Sequence, residues 1–112
     1  MRPTLTVGII ARNEARDLPK CLDSLRDIAN HVILVDTGST DGTQGIARGM
    51  NAFVETYTDA SEQIDGQWRL VNFSKARNRA IELAEEMTQK EFYMCMDADE
   101  VLTTPQALKR QL

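Results

Sequence analysis

Two aspartates separated by one small residue, Asp97 and Asp99, directly follow the apolar run Phe92–Met96 and are the residues best suited to chemistry in this chain. Alternate side chains of an extended backbone point the same way, so both carboxylates would lie on one side with only Ala98 between them. Such charges repel unless a cation or hydroxyl groups separate them. Carboxylate oxygens suit Mg²⁺ or Mn²⁺, which complete their coordination with water and substrate phosphates. The pair therefore predicts a divalent metal and a phosphate-bearing ligand.

Other polar side chains follow two further apolar runs, Leu5–Ala11 and His31–Val35. If these runs are strands of one parallel sheet, their carboxyl ends share an edge, and ligands bind at that edge in such folds. An alternative stays open, because loops are polar in general and because Ser39 and Asp41 fit a helix-capping role as well as a functional one. The polar residues at the strand ends are Arg12, Asn13 and Glu14, then Asp36, Thr37 and Ser39, and finally Asp97, Asp99 and Glu100.

A third group of candidates lies in the first turns of a helix predicted over about residues 74–87. Lys75, Arg77 and Arg79 place positive charge at the helix N-terminus, where each cation costs about 0.3–1 kcal/mol relative to the reversed order of charges. A diphosphate bound there would compensate for this cost. The alternative is that Arg79 pairs with Glu82 at helical spacing while the other cations are solvated. We therefore take Arg77 and Asn78 as predicted ligand contacts and Arg79 as a surface residue.

Short β-rich apolar runs alternate along the chain with stretches of helical periodicity. This alternation predicts an α/β fold, a Rossmann-like, mostly parallel sheet with flanking helices joined by right-handed crossovers. The last strand is apolar at every position, which is typical of a central strand covered on both faces. Residues 58–69 have no clear period and are predicted to form a loop carrying Trp68. The predicted strands are Leu5–Ala11, His31–Val35, Ala52–Tyr57 and Phe92–Met96, and the predicted helices begin after Asp17, near Asp41, at Ser74 and at Thr104, with Asp17 and Ser74 as N-caps.

The composition excludes several classes of function. The chain has 112 residues, a formal net charge of −4 and a pI near 4.9, so it lacks the diffuse positive field that binding to nucleic acid or anionic membranes needs. No apolar run approaches the roughly 20 residues of a transmembrane segment, and no signal-peptide pattern is present, so a cytoplasmic location is expected. Cys21 and Cys95 are expected to be reduced, and the single histidine, His31, argues against a zinc site.

Four segments of the chain resemble the family two glycosyltransferases of the GT-A fold. They are TVGIIARNE, LVDTGSTDGT, FSKARNRAI and CMDADEVL, in the family's order and approximate spacing. The run from Trp68 to Asn78 is most similar to the branch related to lipopolysaccharide core and peptide glycosyltransferases. The resemblance implies that residues 1–112 form the nucleotide-sugar-binding portion of a GT-A domain, a partial GT-A fold without its acceptor-binding half. The surface that such a half would cover makes a homo-oligomer a further expectation.

The resemblance also implies roles for individual residues. Asp36 would accept a hydrogen bond from the N3–H of a uracil, and the loop that begins at Ala11 would line the base pocket. Many members have an aromatic residue where Arg12 stands; a guanidinium plane can also stack, which leaves the nucleotide preference open. Asp97 would lie near ribose or sugar hydroxyls, and Asp99 would bind the metal. The implied substrate-binding residues are Ala11, Arg12, Asn13, Glu14, Asp36, Arg77, Asn78 and Asp97, and the implied metal ligands are Asp99 and Asp97.

The reaction implied by the resemblance is an inverting, metal-dependent transfer of a sugar from a nucleoside-diphosphate sugar, with a UDP-sugar favoured, to an acceptor hydroxyl. Mg²⁺ or Mn²⁺ would stabilise the departing diphosphate while a carboxylate base deprotonates the acceptor. The base of this family lies well beyond the Asp-x-Asp motif, so no residue of this chain is assigned to that role. Glu100, next to Asp99, is assigned a supporting role only.

Two other classes of function compete with this interpretation. The first is a noncatalytic module that holds a nucleotide sugar in the same crevice or recruits a partner through an exposed sheet edge. The second is a nucleotidyltransferase on a similar fold. That enzyme would need a glycine-rich basic loop after the first strand, and Arg12-Asn13-Glu14 does not provide one.

Overall fold

The computed structural model of the chain describes residues 4–87 and 92–101, which leaves the predicted helix at Thr104 outside the described residues. The elements are β1 (Leu5–Ala11), α1 (Leu18–Leu25), β2 (His31–Asp36), α2 (Thr43–Gly49), β3 (Phe53–Thr56), β4 (Ser61–Ile64), β5 (Gln67–Leu70), α3 (Phe73–Met87) and β6 (Phe92–Asp97). Within this range four parallel strands form a sheet in the order β3-β2-β1-β6, and β4 pairs with β5 in a separate antiparallel hairpin. The parallel sheet with flanking helices confirms the predicted fold class. None of the helices described is both long and apolar enough to cross a membrane.

The register of the sheet aligns the carboxyl ends of its strands. Ala11 at the end of β1 pairs with Asp36 at the end of β2, and Asp36 pairs in turn with Thr56 of β3. On the other side of β1, Ile10 pairs with Asp97 at the end of β6. The polar loops that follow β1, β2 and β6 therefore leave from one edge of the sheet, which we call the carboxyl edge.

One face of the sheet packs against α1 and α2. Apolar residues recur every three or four positions along α1, and Pro19 is tolerated in its first turn because that turn has no partner for its N–H. The shorter α2 contributes fewer apolar side chains to this layer, chiefly Ala47 and the half-buried Ile46. The buried side chains of this layer are Leu5, Val7, Ile9, Ala11, Leu18, Cys21, Leu22, Leu25, Ile28, Leu34, Ala47, Ala52, Met96 and Ala98.

The opposite face of the sheet packs against α3. Two alanines of α3 allow the helix to approach β2 closely, and the layer is smaller than the first. On the same face, Tyr93 of β6 lies across Gly8 of β1, where a Cβ would come within 2.0 Å of the tyrosine hydroxyl. Glycine at this position is therefore required by the tyrosine that covers it. The buried residues of this layer are Ile33, Val35, Ala80, Leu83 and Ala84.

The region predicted to be a loop is a β-hairpin, so that prediction is wrong. The hairpin turns at Asp65 and Gly66, whose φ angles are 53° and 77°. Positive φ at both central residues fits a type I′ turn, which matches the twist of paired strands and favours Asp-Gly. The two strands have four residues each and mostly exposed side chains, so they carry no strong alternation of apolar residues. The Asp65-Gly66 pair is the sequence feature from which the hairpin could have been predicted.

Three further details of the sequence prediction are corrected by the structure. In the described part of the chain β6 is an edge strand of its sheet rather than a central one, and Phe92 at its start is exposed. The cap of α3 is Asn72, not Ser74, because Asn72 Oδ1 accepts a hydrogen bond from the Lys75 N–H at 3.1 Å. Asp17 does stand at the N-cap of α1, but its side chain makes no capping hydrogen bond among the described residues.

Candidate active site

Two loops meet at the carboxyl edge: the β1–α1 loop, residues 12–17, and the β2–α2 loop, residues 37–42. Ser39 Oγ accepts a hydrogen bond from the Asn13 N–H at 2.9 Å, and Asn13 Oδ1 accepts one from the Thr40 N–H at 2.7 Å. The Glu14 N–H donates to Thr43 Oγ1 at 2.9 Å. Asn13 has a φ of 55°, a left-handed conformation that asparagine tolerates better than most residues. Asn13, a predicted ligand contact, therefore joins the two loops into one unit.

Asp41 fixes the start of α2. Its carboxylate accepts hydrogen bonds from the Thr43 N–H at 3.0 Å, from the Ala15 N–H at 3.2 Å and from the Thr43 hydroxyl. Burial acts to raise the pKa of Asp41, but these hydrogen bonds outweigh it and hold the pKa below its usual value. Gly42 occupies the N-cap position of α2, but Asp41, one residue before it, accepts the hydrogen bond from the first helical N–H, so the capping role considered for Ser39 and Asp41 is found for Asp41.

The carboxylate of Asp36 is fully buried at the end of β2. Its Oδ2 accepts hydrogen bonds from the Ser39 N–H at 3.0 Å, the Gly38 N–H at 3.3 Å and Gln44 Nε2 at 2.9 Å. Its Oδ1 accepts a hydrogen bond from the Ser39 hydroxyl. Gln44 also donates to Thr56 Oγ1 at 2.8 Å and so ties Asp36 to β3. Asp36 thus orders the β2–α2 loop, and its contact with a base stays a prediction.

The β4–β5 hairpin packs against both loops. A Cβ at Gly38, whose φ is 121°, would lie 2.4 Å from Trp68 Cβ, so glycine is what allows the tryptophan to pack there. Arg12 Nη2 donates a hydrogen bond to Gln67 Oε1 at 3.2 Å and links the hairpin to the β1–α1 loop. Arg12 Nε is buried and has no hydrogen-bond partner within the described ranges. The hairpin therefore lies beside Arg12, the residue predicted to stack on the base.

Asp97 ends β6, and Asp99 lies in the turn that follows; both side chains are exposed. The Glu100 N–H donates to the Asp97 carbonyl oxygen at 3.0 Å, and Glu100 Oε1 accepts a hydrogen bond from the Asp97 N–H at 2.7 Å. The Asp-Ala-Asp segment is therefore turned rather than extended. The prediction that strand alternation aligns its two carboxylates is wrong, and Glu100 closes the turn that replaces the extended segment.

Negative charge nevertheless gathers around Glu14 at the carboxyl edge. Burial raises the pKa of Glu14, and the charges of Asp99, Asp17, Asp41 and Asp97 raise it further, in that order. Carboxylates from the two loops and from the end of β6 are thus close enough to repel one another. Their oxygens are the ligand type that Mg²⁺ and Mn²⁺ prefer, although within residues 4–87 and 92–101 no three His, Cys, Asp or Glu side chains form a metal-binding group.

Arg77 lies on the side of α3 that faces β6. Its guanidinium is over the Phe73 ring, 4.7 Å from the ring centroid. Burial raises the pKa of the Cys95 thiol and raises the pKa of Tyr93 to about 12, and the positive charge of Arg77 opposes both shifts. Asn78, the next residue, is exposed. The structure therefore places Arg77 beside β6, the strand that ends in Asp97.

Arg79, predicted to be a surface residue that could pair with Glu82, is half-buried and is bound chiefly to β3. Its Nε and Nη2 donate to the Glu55 carboxylate on β3 at 2.6 Å and 2.8 Å, while the expected pair with Glu82 is longer at 3.7 Å. Lys75 Nζ donates to the Asp59 carbonyl oxygen at 3.2 Å. Contacts within the fold thus account for two of the three cations at the start of α3, and no bound diphosphate is needed to explain them.

Sequence reasoning missed two glutamines that organise this edge. Gln44 is the second residue of α2, and only the folded position of α2 against β2 brings its side chain to Asp36. Gln67 reaches Arg12 because the hairpin folds back over the loops. The signal for Gln67 was the Asp-Gly turn beside it, whereas nothing local in the sequence marks Gln44.

The sheet order and the polar carboxyl edge define a Rossmann-like α/β domain, a class in which ligands bind beyond the carboxyl ends of the strands. The family model for glycosyl transferase family 2 matches residues 6–112, and the chain belongs to that family. It is 37% identical over 97 residues to the SPbeta prophage-derived glycosyltransferase SunS of Bacillus subtilis, a match that covers 87% of this chain and 20% of that relative. The chain spans about a fifth of the length of the curated relatives it matches.

Solved structures show the same fold. TarS of S. aureus in complex with UDP matches with a TM-score of 0.63 and 22% identity, over 96% of this chain and 31% of that one. Glucosyl-3-phosphoglycerate synthase of Mycobacterium tuberculosis, in complex with Mn²⁺, UDP and glucosyl-3-phosphoglycerate, matches with a TM-score of 0.61 and 24% identity, over 86% of this chain and 33% of that one. The mostly parallel sheet with flanking helices is the GT-A arrangement of these neighbours.

Proposed function

We propose that this chain is the donor-binding part of a glycosyltransferase that transfers a sugar from a nucleoside-diphosphate sugar to an acceptor hydroxyl. Membership of glycosyl transferase family 2 supports the class of reaction. The observation that carries the proposal is the gathering of loops and carboxylates at one edge of the sheet, where the neighbouring negative charges raise the pKa of Glu14. A UDP-sugar is the favoured donor, and structural neighbours crystallised with UDP support that choice.

Asp99 and Asp97 are the proposed ligands of a divalent cation, Mg²⁺ or Mn²⁺. Both side chains are exposed at the end of β6, and their charges reach Glu14 across the edge. Hard carboxylate oxygens and a surplus of negative charge fit such an ion. When bound, the cation would stabilise the charge of the departing nucleoside diphosphate. A neighbour that holds Mn²⁺ together with UDP supports this assignment.

The proposed donor contacts come from three elements at this edge. Ala11, Arg12, Asn13 and Glu14 would line the base pocket, with the Arg12 guanidinium plane available for stacking on the base. Asp97 would also bind ribose or sugar hydroxyls. Arg77 and Asn78 would lie beside the nucleotide and the sugar, because the guanidinium of Arg77 is close enough to β6 for its charge to act on Tyr93 and Cys95.

The catalytic base is not assigned to any residue of this chain. An inverting reaction needs a carboxylate that takes the acceptor proton, and the curated relatives extend about five times the length matched here. Inversion, a cytoplasmic location and self-association stay predictions. Donor binding is the part of the function that the described residues can be expected to perform.

Titration calorimetry of the folded chain with UDP, with and without Mn²⁺, tests the proposal. We expect UDP to bind more tightly with Mn²⁺, and Asp99→Ala to weaken the metal-dependent part at least about tenfold. Glu85→Ala, which removes an exposed carboxylate of α3, is the matched control and should change nothing. Failure of the folded chain to bind UDP under either condition would contradict donor binding. If the affinity for UDP changes neither with Mn²⁺ nor with Asp99→Ala, the proposed metal site is contradicted but donor binding is not.

A further inference from the structure

Glu100 binds the backbone of Asp97 at two points. Its N–H donates to the Asp97 carbonyl oxygen at 3.0 Å, and its Oε1 accepts a hydrogen bond from the Asp97 N–H at 2.7 Å. The second contact resembles the one that a glutamate makes three residues after a helix N-cap, where its side chain reaches back to a backbone N–H. The carboxylate of Glu100 is therefore engaged by the backbone of the turn, although it stands next to both proposed metal ligands.

We propose that Glu100 is a positioning residue for the divalent cation: it fixes the turn that carries the carboxylates of Asp97 and Asp99, and it is not itself a ligand of the ion. This inference rests on the proposed function, because it concerns the same metal site. It depends on the hydrogen bond that the Glu100 side chain accepts and not on the charge of that side chain.

The same turn is anchored from the core. Ala98 is 3% exposed and packs in the buried layer that α1 covers. Cys21 Sγ of α1 donates to the Asp97 carbonyl oxygen at 3.7 Å, beside the Glu100 N–H. Asp97 and Asp99, on either side of the buried alanine, are both exposed. A turn held at its middle residue and at both backbone polar groups of Asp97 has little freedom, so its shape is set before an ion arrives.

The carboxylates of Asp97 and Asp99 stay available for an ion. Within residues 4–87 and 92–101 neither of them accepts a hydrogen bond from another group. In the same ranges no three His, Cys, Asp or Glu side chains are arranged as a metal-binding group, so Glu100 does not stand beside the two aspartates as a third ligand. Groups that hold metal ligands in place without touching the metal commonly control its affinity.

The hydrogen bond and the charge of Glu100 can be separated by substitution. Glu100→Gln keeps an Oε1 that accepts from the Asp97 N–H, but it removes the charge. Glu100→Asp keeps the charge, but its side chain is one methylene shorter and withdraws the oxygen from that N–H. Glu100→Ala removes both. A positioning role and a direct role in binding the ion therefore predict opposite orders for the Gln and Asp variants.

The experiment measures the affinity for UDP by calorimetry, with Mn²⁺ and with EDTA, for the wild type and the three variants. The ratio of the two affinities is the metal-dependent part. We expect Glu100→Gln to keep this ratio within about threefold of the wild type, because an exposed charge contributes little in water. Glu100→Asp and Glu100→Ala should lower it at least about tenfold. Affinity in EDTA should change little in all three, and Glu85→Gln, an exposed carboxyl of α3, is the matched control.

Hydrogen exchange of the Asp97 amide, measured by NMR in EDTA, reports the turn without an ion or a nucleotide. The amide should exchange as slowly in Glu100→Gln as in the wild type, and faster in Glu100→Asp and Glu100→Ala. An exchange rate that none of the substitutions changes overturns the inference.

The reverse order of the variants also overturns it. If Glu100→Asp retains the metal-dependent part and Glu100→Gln loses it, Glu100 acts through its charge or as a ligand. A metal-dependent part that is unchanged in Glu100→Ala rejects the inference as well, and if that variant does not fold, the Gln and Asp variants decide. A wild type that binds UDP equally with and without Mn²⁺ rejects the inference together with the metal site, but not donor binding. Absence of UDP binding contradicts the proposed function itself.

Discussion

The guanidinium of Arg79 on α3 forms a two-point ion pair with the carboxylate of Glu55 on β3. The Nε–Oε2 distance is 2.6 Å and the Nη2–Oε1 distance is 2.8 Å. Parallel hydrogen bonds of this kind fix geometry as well as charge. The pair ties α3, which packs on β1 and β2, to the outer strand β3, while the charge of Arg77, two residues earlier on α3, acts on Cys95 of β6.

This ion pair predicts a specific dependence of stability on pH. The hydrogen bond from Arg79 lowers the pKa of Glu55 below its usual value of 4.5, although burial opposes the shift. A carboxyl group whose pKa falls on folding contributes stability that is complete above pH 4.5 and is lost as the pH drops through the lowered value. Glu55→Gln should therefore be less stable than the wild type near pH 7, and the difference should shrink below pH 4.5.

Urea unfolding midpoints between pH 3 and pH 8 test this expectation, with ~0.5 pH steps sufficient to resolve the change. Glu62→Gln, at an exposed position of β4, is the matched control and should follow the wild type throughout. A difference between Glu55→Gln and the wild type that stays constant over the whole range would show that the ion pair does not control the titration of Glu55.

The contact between Gly38 and Trp68 predicts that one methyl group will displace the hairpin. Gly38→Ala combines a φ of 121° with a Cβ only 2.4 Å from Trp68 Cβ, so it should cost about 1–3 kcal/mol of stability. Trp68 is the single tryptophan, so its fluorescence should shift to the red as the ring leaves the loop.

Gly45→Ala is the control for this substitution. Gly45 lies in α2, and a Cβ there would meet open space, so alanine should stabilise the protein by about 0.5–1 kcal/mol and leave the fluorescence unchanged. Native emission and native stability in Gly38→Ala would mean that the hairpin does not depend on close approach at Gly38.

The sequence was sufficient to predict the fold but not the hydrogen bonds within the candidate site. The run Leu5–Ala11 is confirmed as a strand with its predicted bounds, because seven apolar or β-branched residues leave no competing period. Asp36 was correctly placed at a strand end, but its burial follows from Ser39 and Gln44, which reach it from a loop and from the next helix. The turn at Asp99 was missed because side-chain alternation assumes an extended backbone and Glu100 folds that backbone back.

The hydroxyl of Tyr93 is expected to reduce the stability of the sheet. It is buried against Gly8, and among the described residues it has no hydrogen-bond partner. Burial also raises the pKa of Tyr93 to about 12. A polar atom removed from water without a partner costs about 1–3 kcal/mol, so Tyr93→Phe should be neutral or should stabilise the protein by up to about that amount.

Thermal or urea unfolding of Tyr93→Phe measures the effect. Tyr57→Phe is the matched control, because Tyr57 packs against the same layer but its hydroxyl is not among the buried, unpartnered atoms in the described part of the chain. Tyr57→Phe should bring no gain. A clear loss of stability in Tyr93→Phe would show that the hydroxyl has a partner in solution.

The raised pKa of Glu14 predicts that neutralising this one carboxyl stabilises the metal-free protein. Burial and the charges of Asp99, Asp17, Asp41 and Asp97 favour the protonated form, so the folded state holds its proton above the usual pKa of 4.5. Stability then falls as the pH rises from 4.5 through the raised value. Glu14→Gln should accordingly be more stable than the wild type at pH 7 in EDTA, and this gain should vanish below pH 4.5.

Mn²⁺ should reproduce part of that gain in the wild type, because a cation at the carboxyl edge relieves the same repulsion and stabilises the folded state to which it binds. Unfolding midpoints at pH 7 with EDTA or with Mn²⁺ measure both effects, and Glu85→Gln, an exposed carboxyl of α3, is the matched control. We expect Mn²⁺ to raise the midpoint of the wild type more than that of Glu14→Gln. If the wild type is more stable than Glu14→Gln in EDTA at pH 7, the charge of Glu14 does not destabilise the folded state, and the repulsion on which this prediction rests is contradicted.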